Sequence, residues 1–252
     1  MWGAAVCLGC IAFFCTDADT PSTSWPLKPP GPLDLDWLKI SDGKKEVWRI
    51  ANPLSPTSAY ASLATEQISL LAPALLSSPT VPSGWRPLWD THPYQRAASV
   101  LGSLMPMEMT RRTVLQFLSF IAHVEGDFAR KLAERDGKAL LLLGVWYAKV
   151  CRYRQWWTMR RAVLEGQAIA IYLERECGEL VGEGGEGRHL WDFVRRGTGL
   201  ERGWGWRDFA REAGLGETGQ EKESMCQRAG FGMFRTGDQM PGGSGGDVEW
   251  PL

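Results

Sequence analysis

Neither sign of charge dominates this chain: 28 Lys and Arg stand against 29 Asp and Glu. A protein that binds nucleic acid by neutralising phosphates is normally basic over the binding domain, so the chain as a whole is not built for that mode. Cysteine is scarce. Cys7, Cys10, Cys15, Cys151, Cys177 and Cys226 are too scattered for a disulfide framework, and reduced thiols are the expectation. Histidine is scarcer still. His92, His123 and His189 are isolated from one another and lack a nearby Ser or Cys in a nucleophile motif, so packing or capping is their expected role. No Lys or Arg precedes Lys28, so "MWGAAVCLGCIAFFC" lacks the basic start of a signal segment. The run is also shorter than the roughly 20 apolar residues that a spanning helix needs. A buried helix, with no membrane span, is expected there. Cys7 and Cys10 form a C-x-x-C with Cys15 close by, but a zinc site takes four ligands and no second pair follows. No metal and no cofactor is expected.

Strand signals are missing as well. Up to Glu176 there is no hairpin signal and no long period-2 stretch, and apolar residues recur at helical spacing instead. Trp37, Ile40, Val47 and Trp48 mark one helix, with Gly43 as a weak point. Tyr60, Leu63, Ala64, Ile68 and Leu71 mark a second that stops at Pro73. Tyr94, Ala97, Ala98, Leu101 and Met105 follow Pro93 on a third, and Val114, Phe117, Leu118 and Ile121 repeat the pattern. Asp136 suits an N-cap for "KALLLLGVWYAKV", a helix apolar on nearly every side and therefore central. The Pro-rich stretches 16–32 and 77–93 read as loops. After Cys177 the composition changes: 19 of the 29 Gly fall in residues 178–252, where glycine at that density raises the entropy cost of ordering. The fold expected is therefore all-α, an irregular multi-helix bundle around central apolar helices over residues 1–177. A Gly-rich tail, 178–252, is expected to be mostly disordered, with a short helix near 189–196.

What the chain has in abundance is tryptophan, and the segment "WYAKVCRYRQWWTMRRAVLEGQAIAIYLE" (146–174) concentrates it. Trp146, Trp156 and Trp157 alternate there with Lys149, Arg152, Arg154, Arg160 and Arg161. Rings of that area would leave a large apolar patch if exposed, so two mostly buried helices are expected, with the arginine heads kept in water over the ring edges. Arg161 and Glu165, at i and i+4, are expected to pair on an exposed face. "GEGGEG", Gly182–Gly187, formally fits the dinucleotide fingerprint, with Asp208 about twenty residues on. The helical pattern that leads into it and the absence of a second βαβ unit count against that site.

Four blocks, "LDWLKISDGKKEVWRI", "HPYQRAASVLGSL", "FLSFIAHVEGDFARKLAERDGKALLLLGVWYAKV" and "QWWTMRRAVLEGQAIAIYLE", together resemble the carboxy-terminal regulatory region of fungal zinc-cluster transcription factors, of the sterol-uptake-control type. The resemblance covers residues 33–176 in the family's order, and its most specific part joins the Asp136–Ala148 block to the Trp156–Trp157 pair. It implies an all-helical effector domain with an apolar pocket, a sterol-like small molecule or transcriptional protein partners, and a nuclear or cytoplasmic location. Trp146, Trp156 and Trp157 are the ligand-pocket candidates. The family's zinc cluster uses six closely spaced Cys among basic residues, whereas residues 1–27 hold three Cys and no Lys or Arg. Sequence-specific DNA binding by this chain alone is therefore not expected, nor is catalysis. Two alternatives compete: a dinucleotide-dependent enzyme built on Gly182–Gly187, and a helical interaction protein without a ligand. A strand immediately before Gly182 would favour the enzyme, and an enclosed apolar cavity near Trp146 would favour the effector domain.

Overall fold

The computed structural model describes residues 2–59, 61–62, 64–66, 81–110, 112–124 and 126–214, and among them there are helices and no strands. In chain order the α-helices are α1 (Trp2–Phe14), α2 (Asp36–Ala51), α3 (Arg86–Trp89), α4 (Gln95–Leu104), α5 (Val114–Ser119), α6 (Gly126–Ala133), α7 (Gly137–Val150), α8 (Trp156–Glu176), α9 (Gly178–Val181), α10 (Arg188–Gly197) and α11 (Trp206–Glu212). The all-α expectation holds.

A helical hairpin of α7 and α8 forms the centre. Every residue from Ala139 to Val150 is buried, as is every residue from Thr158 to Ala170. The apolar circumference of "KALLLLGVWYAKV" explains why α7 sits in the middle: it has no polar face to offer solvent. Tyr147 meets Glu165 while Gly144 lies against Ile169, so the two helices run antiparallel. Around them, α1 packs on α2 and α8, α4 and α6 lean on α7, α10 covers both hairpin helices, and α11 packs on α8. Glycine makes one of these contacts close. A Cβ on Gly197 would stand 2.6 Å from the Ala148 Cβ, so α10 approaches α7 only because no side chain intervenes there. The last turn of α1 is buried at Ala12, Phe13 and Phe14, as expected of a packed helix. No described helix is long and apolar enough to cross a membrane.

Two expectations are corrected. The stretch 77–93 is not wholly loop: residues 83–89 form a 3-10 turn and then α3, which bury Trp85, Leu88 and Trp89. Pro87 lies in the first turn of α3, where its missing N–H is not needed. The Trp89 indole donates to the Lys138 carbonyl at 3.1 Å, a tertiary bond that local composition does not announce. Packing also does not stop at Cys177. Through Leu190, Trp191 and Val194, α10 buries an apolar face, and α11 does so through Trp206, Phe209 and Ala210. The helix expected at 189–196 is thus present, yet it belongs to the packed body, because its apolar spacing outweighs the entropy that its glycine-rich flanks carry. The remainder of the expected tail, 215–252, lies outside the described residues, as do Tyr60, Leu63, Ile68 and Leu71.

Asp136 caps α7 as its position promised. Its carboxylate accepts from the Ala139 N–H at 3.0 Å and from the Tyr94 hydroxyl at 3.1 Å. Burial, followed by the Asp136 charge, pushes the Tyr94 pKa from 10.0 up to about 12. The folded-state value lies above the unfolded one, so the stabilisation is whole below pH 10.0 and is lost as pH climbs through about 12. Tyr94→Phe should therefore flatten this part of the alkaline limb of stability against pH, measured by denaturant titration. An unchanged slope in the variant would show that Tyr94 is not linked to folding.

Candidate functional site: a buried polar junction and an arginine-lined cleft

Of the three tryptophans singled out from the sequence, Trp146 and Trp157 join one aromatic cluster through Phe13 where α1, α7 and α8 meet, and Trp156 packs beside it on Phe14. Trp146 is fully buried, and its indole donates to the Phe117 carbonyl at 2.8 Å. Its ring stacks on Phe120 at 5.7 Å and on Trp37 at 6.3 Å, with the edge of Phe13 at 5.9 Å and Tyr147 at 5.3 Å. Trp156 and Trp157 are half-buried, the first against Phe14 at 5.4 Å and the second against Phe13 at 6.3 Å. Side chains of the protein itself surround Trp146, so its place is in the core.

Two of the basic residues among these rings, Arg160 and Arg161, behave differently from expectation. Arg161 and Glu165 do pair, but on a buried face: their side chains are 8% and 4% exposed. Arg161 also donates to the carbonyls of Phe13 (2.8 Å), Ala12 (3.4 Å) and Cys15. The last carbonyls of a helix have no intrahelical partner, and at the buried end of α1 the fork of one guanidinium fills that need. Glu165 balances the charge, and its second oxygen accepts from the Tyr147 hydroxyl at 2.5 Å. Burial and the Glu165 charge hold the Tyr147 proton on, well above the usual phenol range, so it remains a donor. Arg160 is likewise buried and donates to the Ala18 carbonyl at 3.2 Å and to Asp19 at 3.0 Å. The heads of Arg160 and Arg161 are thus not in water, whereas Arg152 and Arg154 are exposed, as expected. The i, i+4 pairing was legible, but its burial depends on α1, which is remote in sequence.

Lys149, read from the sequence only as one of the basic residues among the rings, and Gln167, which sequence reasoning passed over, do the same work. Lys149 donates to the carbonyls of Met105 (2.9 Å) and Met107 (2.5 Å) beyond the end of α4. Gln167 donates to Thr198 O (2.8 Å) and Trp204 O (2.6 Å) after α10. Their signal was available: each is a polar residue set into a largely apolar helical run.

At one end of the hairpin the packing opens. The α7–α8 turn, the end of α10, the segment 199–204 and α11 enclose a cleft of about 300 Å³. Arg152, Arg154, Arg196 and Arg202 line it, opposed by Glu212 alone among its carboxylates. Glu212 pairs with Arg154 at 3.1 Å. The Arg152 guanidinium stands 5.6 Å from the Phe193 ring and that of Arg202 5.1 Å from the Trp204 ring. Arg154 adopts left-handed backbone (φ 43), an arrangement that costs energy for a non-glycine residue and that clusters at functional sites. Behind the cleft the Lys149 pKa is lowered, first by burial and then by the Arg152 charge. Burial drives the thiol pKa of Cys151 far above its ordinary range, so this lining residue stays protonated. The cleft can hold an anion and offers no thiolate. Trp146, Trp156 and Trp157 are not in its lining.

"GEGGEG" has a structural account. The chain before it is the helices α8 and α9, not the strand that a dinucleotide site requires. The N–H of Gly185 donates to Gly182 O at 3.0 Å and that of Gly187 to Leu180 O at 2.9 Å, so both point into their own loop. A Cβ on Gly185 would meet the Leu180 oxygen at 2.5 Å. The glycines are there because the backbone folds back on itself. No family model, no curated protein and no solved structure matches the chain.

Replacing Trp146 by Ala should cost about 3–5 kcal/mol, the usual range for deleting a buried large aromatic. Chemical denaturation checks it. A loss below about 1 kcal/mol would place the ring in an exposed setting, where substitutions are nearly neutral.

Proposed function

We propose that this chain is a regulatory domain of the effector type, akin to the carboxy-terminal region of fungal zinc-cluster transcription factors, acting without catalysis to control transcription. The observation that carries the reading is the position of the cleft. It opens at the turn of the central hairpin, where an occupant would touch that turn, α10, the segment 199–204 and α11 together, so binding would bias how α10 and α11 pack on the hairpin. The blocks that resemble the family support it too: the Asp136–Ala148 block forms the capped central helix, and the Trp156–Trp157 pair opens its partner. Ligand or partner is engaged at the cleft. The apolar pocket implied by the resemblance finds less support, because rings of the protein itself enclose Trp146.

The full chain, fused to a heterologous DNA-binding domain in a fungal reporter strain, should raise or lower reporter output relative to that domain alone. Arg152→Glu should remove the effect while leaving the melting temperature in place, since Arg152 is exposed. Output equal to the DNA-binding domain alone would overturn the reading.

A further inference from the structure

We propose that the arginine-lined cleft is a binding site for a small planar organic anion, a ring bearing a carboxylate or phosphate monoester. The proposal deepens the regulatory reading and rests on it for the role of the cleft, while its test is independent of transcription.

Charge is the first ground. Several surface arginines sit against carboxylates: Arg49 with Glu46, Arg130 with Asp127 and Glu134, Arg188 with Asp192, Arg211 with Asp208. The cleft gathers four arginines around one carboxylate. Glu212 is engaged by Arg154, and Arg152, Arg196 and Arg202 have no carboxylate partner among the described residues. Three guanidinium groups without a carboxylate around one concavity make it a favourable place for an oxyanion. The guanidinium fork matches a carboxylate or phosphate with two parallel bonds, which a lysine cannot do.

The rings are the second ground. Phe193 and Trp204 already stand beneath the guanidinium groups of Arg152 and Arg202. Rings held in this way orient the forks and leave aromatic surface in the wall for a flat ligand. Phe209 meets Trp204 edge-on at 5.3 Å and fixes its plane. The volume, about 300 Å³, is at the small end for ligand pockets and fits one ring system with its headgroup.

The third ground is preorganisation. The segment carrying Arg202 and Trp204 is pinned at both ends by Gln167, buried in α8, through Thr198 O and Trp204 O. Gly199 turns the chain at φ +78, and a Cβ there would strike the Phe209 ring at 2.6 Å. The loop is therefore set before a ligand arrives, which lowers the ordering cost of binding.

The test is calorimetric titration of the full chain with three probes: adenosine 5′-monophosphate, 2-naphthoate and inorganic phosphate. One of the two ring-bearing anions should bind at least about tenfold more tightly than inorganic phosphate, with affinity falling as salt rises. Preference for the nucleotide assigns the phosphate source, and preference for naphthoate the carboxylate source. Arg196→Glu and Arg202→Glu, both at exposed positions, should each weaken binding about tenfold or more at unchanged melting temperature. If neither ring-bearing anion saturates the protein, or if affinity survives both substitutions, the proposal falls. A reporter fusion that stays active while no anion binds would retain the regulatory reading and reject this one.

Discussion

The guanidinium of Arg161 is held in the interior by groups that all accept from it: Glu165 and the carbonyls of Ala12, Phe13 and Cys15. A charge in that position is costly unless it is paired and hydrogen-bonded, and the end of α1 is costly unless its carbonyls find donors. Each problem is the solution of the other. The first helix therefore docks on the hairpin in one register, since a shift of α1 would leave Arg161 facing side chains instead of carbonyls. The Phe13 ring travels with that register and closes the cluster over Trp146, Trp37 and Trp157.

The same device recurs around the bundle. Lys149 collects carbonyls beyond α4, and Gln167 collects those that follow α10. Apolar contacts alone are non-directional and would let short helices slide over a smooth α7. Single polar residues set into the central helices give each surrounding element a fixed point. One of these points, Gln167, carries the wall of the cleft, so the feature that organises the core also shapes the candidate binding surface. An occupant of the cleft would reach α8 indirectly, through the Thr198 and Trp204 carbonyls that Gln167 holds.

How much of this was legible depended on the range of the interaction. The Asp136 cap reaches three residues, and both the cap and its helix could be placed from the sequence. The central position of α7 followed from its composition, as did the burial of Trp146. The Arg161–Glu165 pair was readable as a pair, but its environment comes from Phe13, 148 residues away. The helical turn at Trp85–Trp89 inside a Pro-rich stretch was not readable, because the Lys138 carbonyl that receives Trp89 lies 49 residues on. Glycine misled in the other direction. Gly185 and Gly197 mark places where chains approach too closely for a Cβ, while composition registers only their entropy. The cleft was hidden for the same reason: its arginines come from the 152–154 turn, the end of α10 and the loop after it, which meet only when α10 folds onto the hairpin. The binding candidates read from sequence were the largest rings, and rings of that size were needed in the core.

If the buried pair organises the fold, its two members must be energetically coupled. The direct measurement is a double-mutant cycle on the full chain, with Arg161→Met, Glu165→Leu and the double variant compared by denaturant unfolding. Each single substitution should cost about 3–5 kcal/mol, because it strands the partner charge in the interior. The double variant should recover a large part of the loss, with a coupling of about 1–3 kcal/mol. Costs that simply add, to within about 0.5 kcal/mol, would show two independent residues and contradict the account.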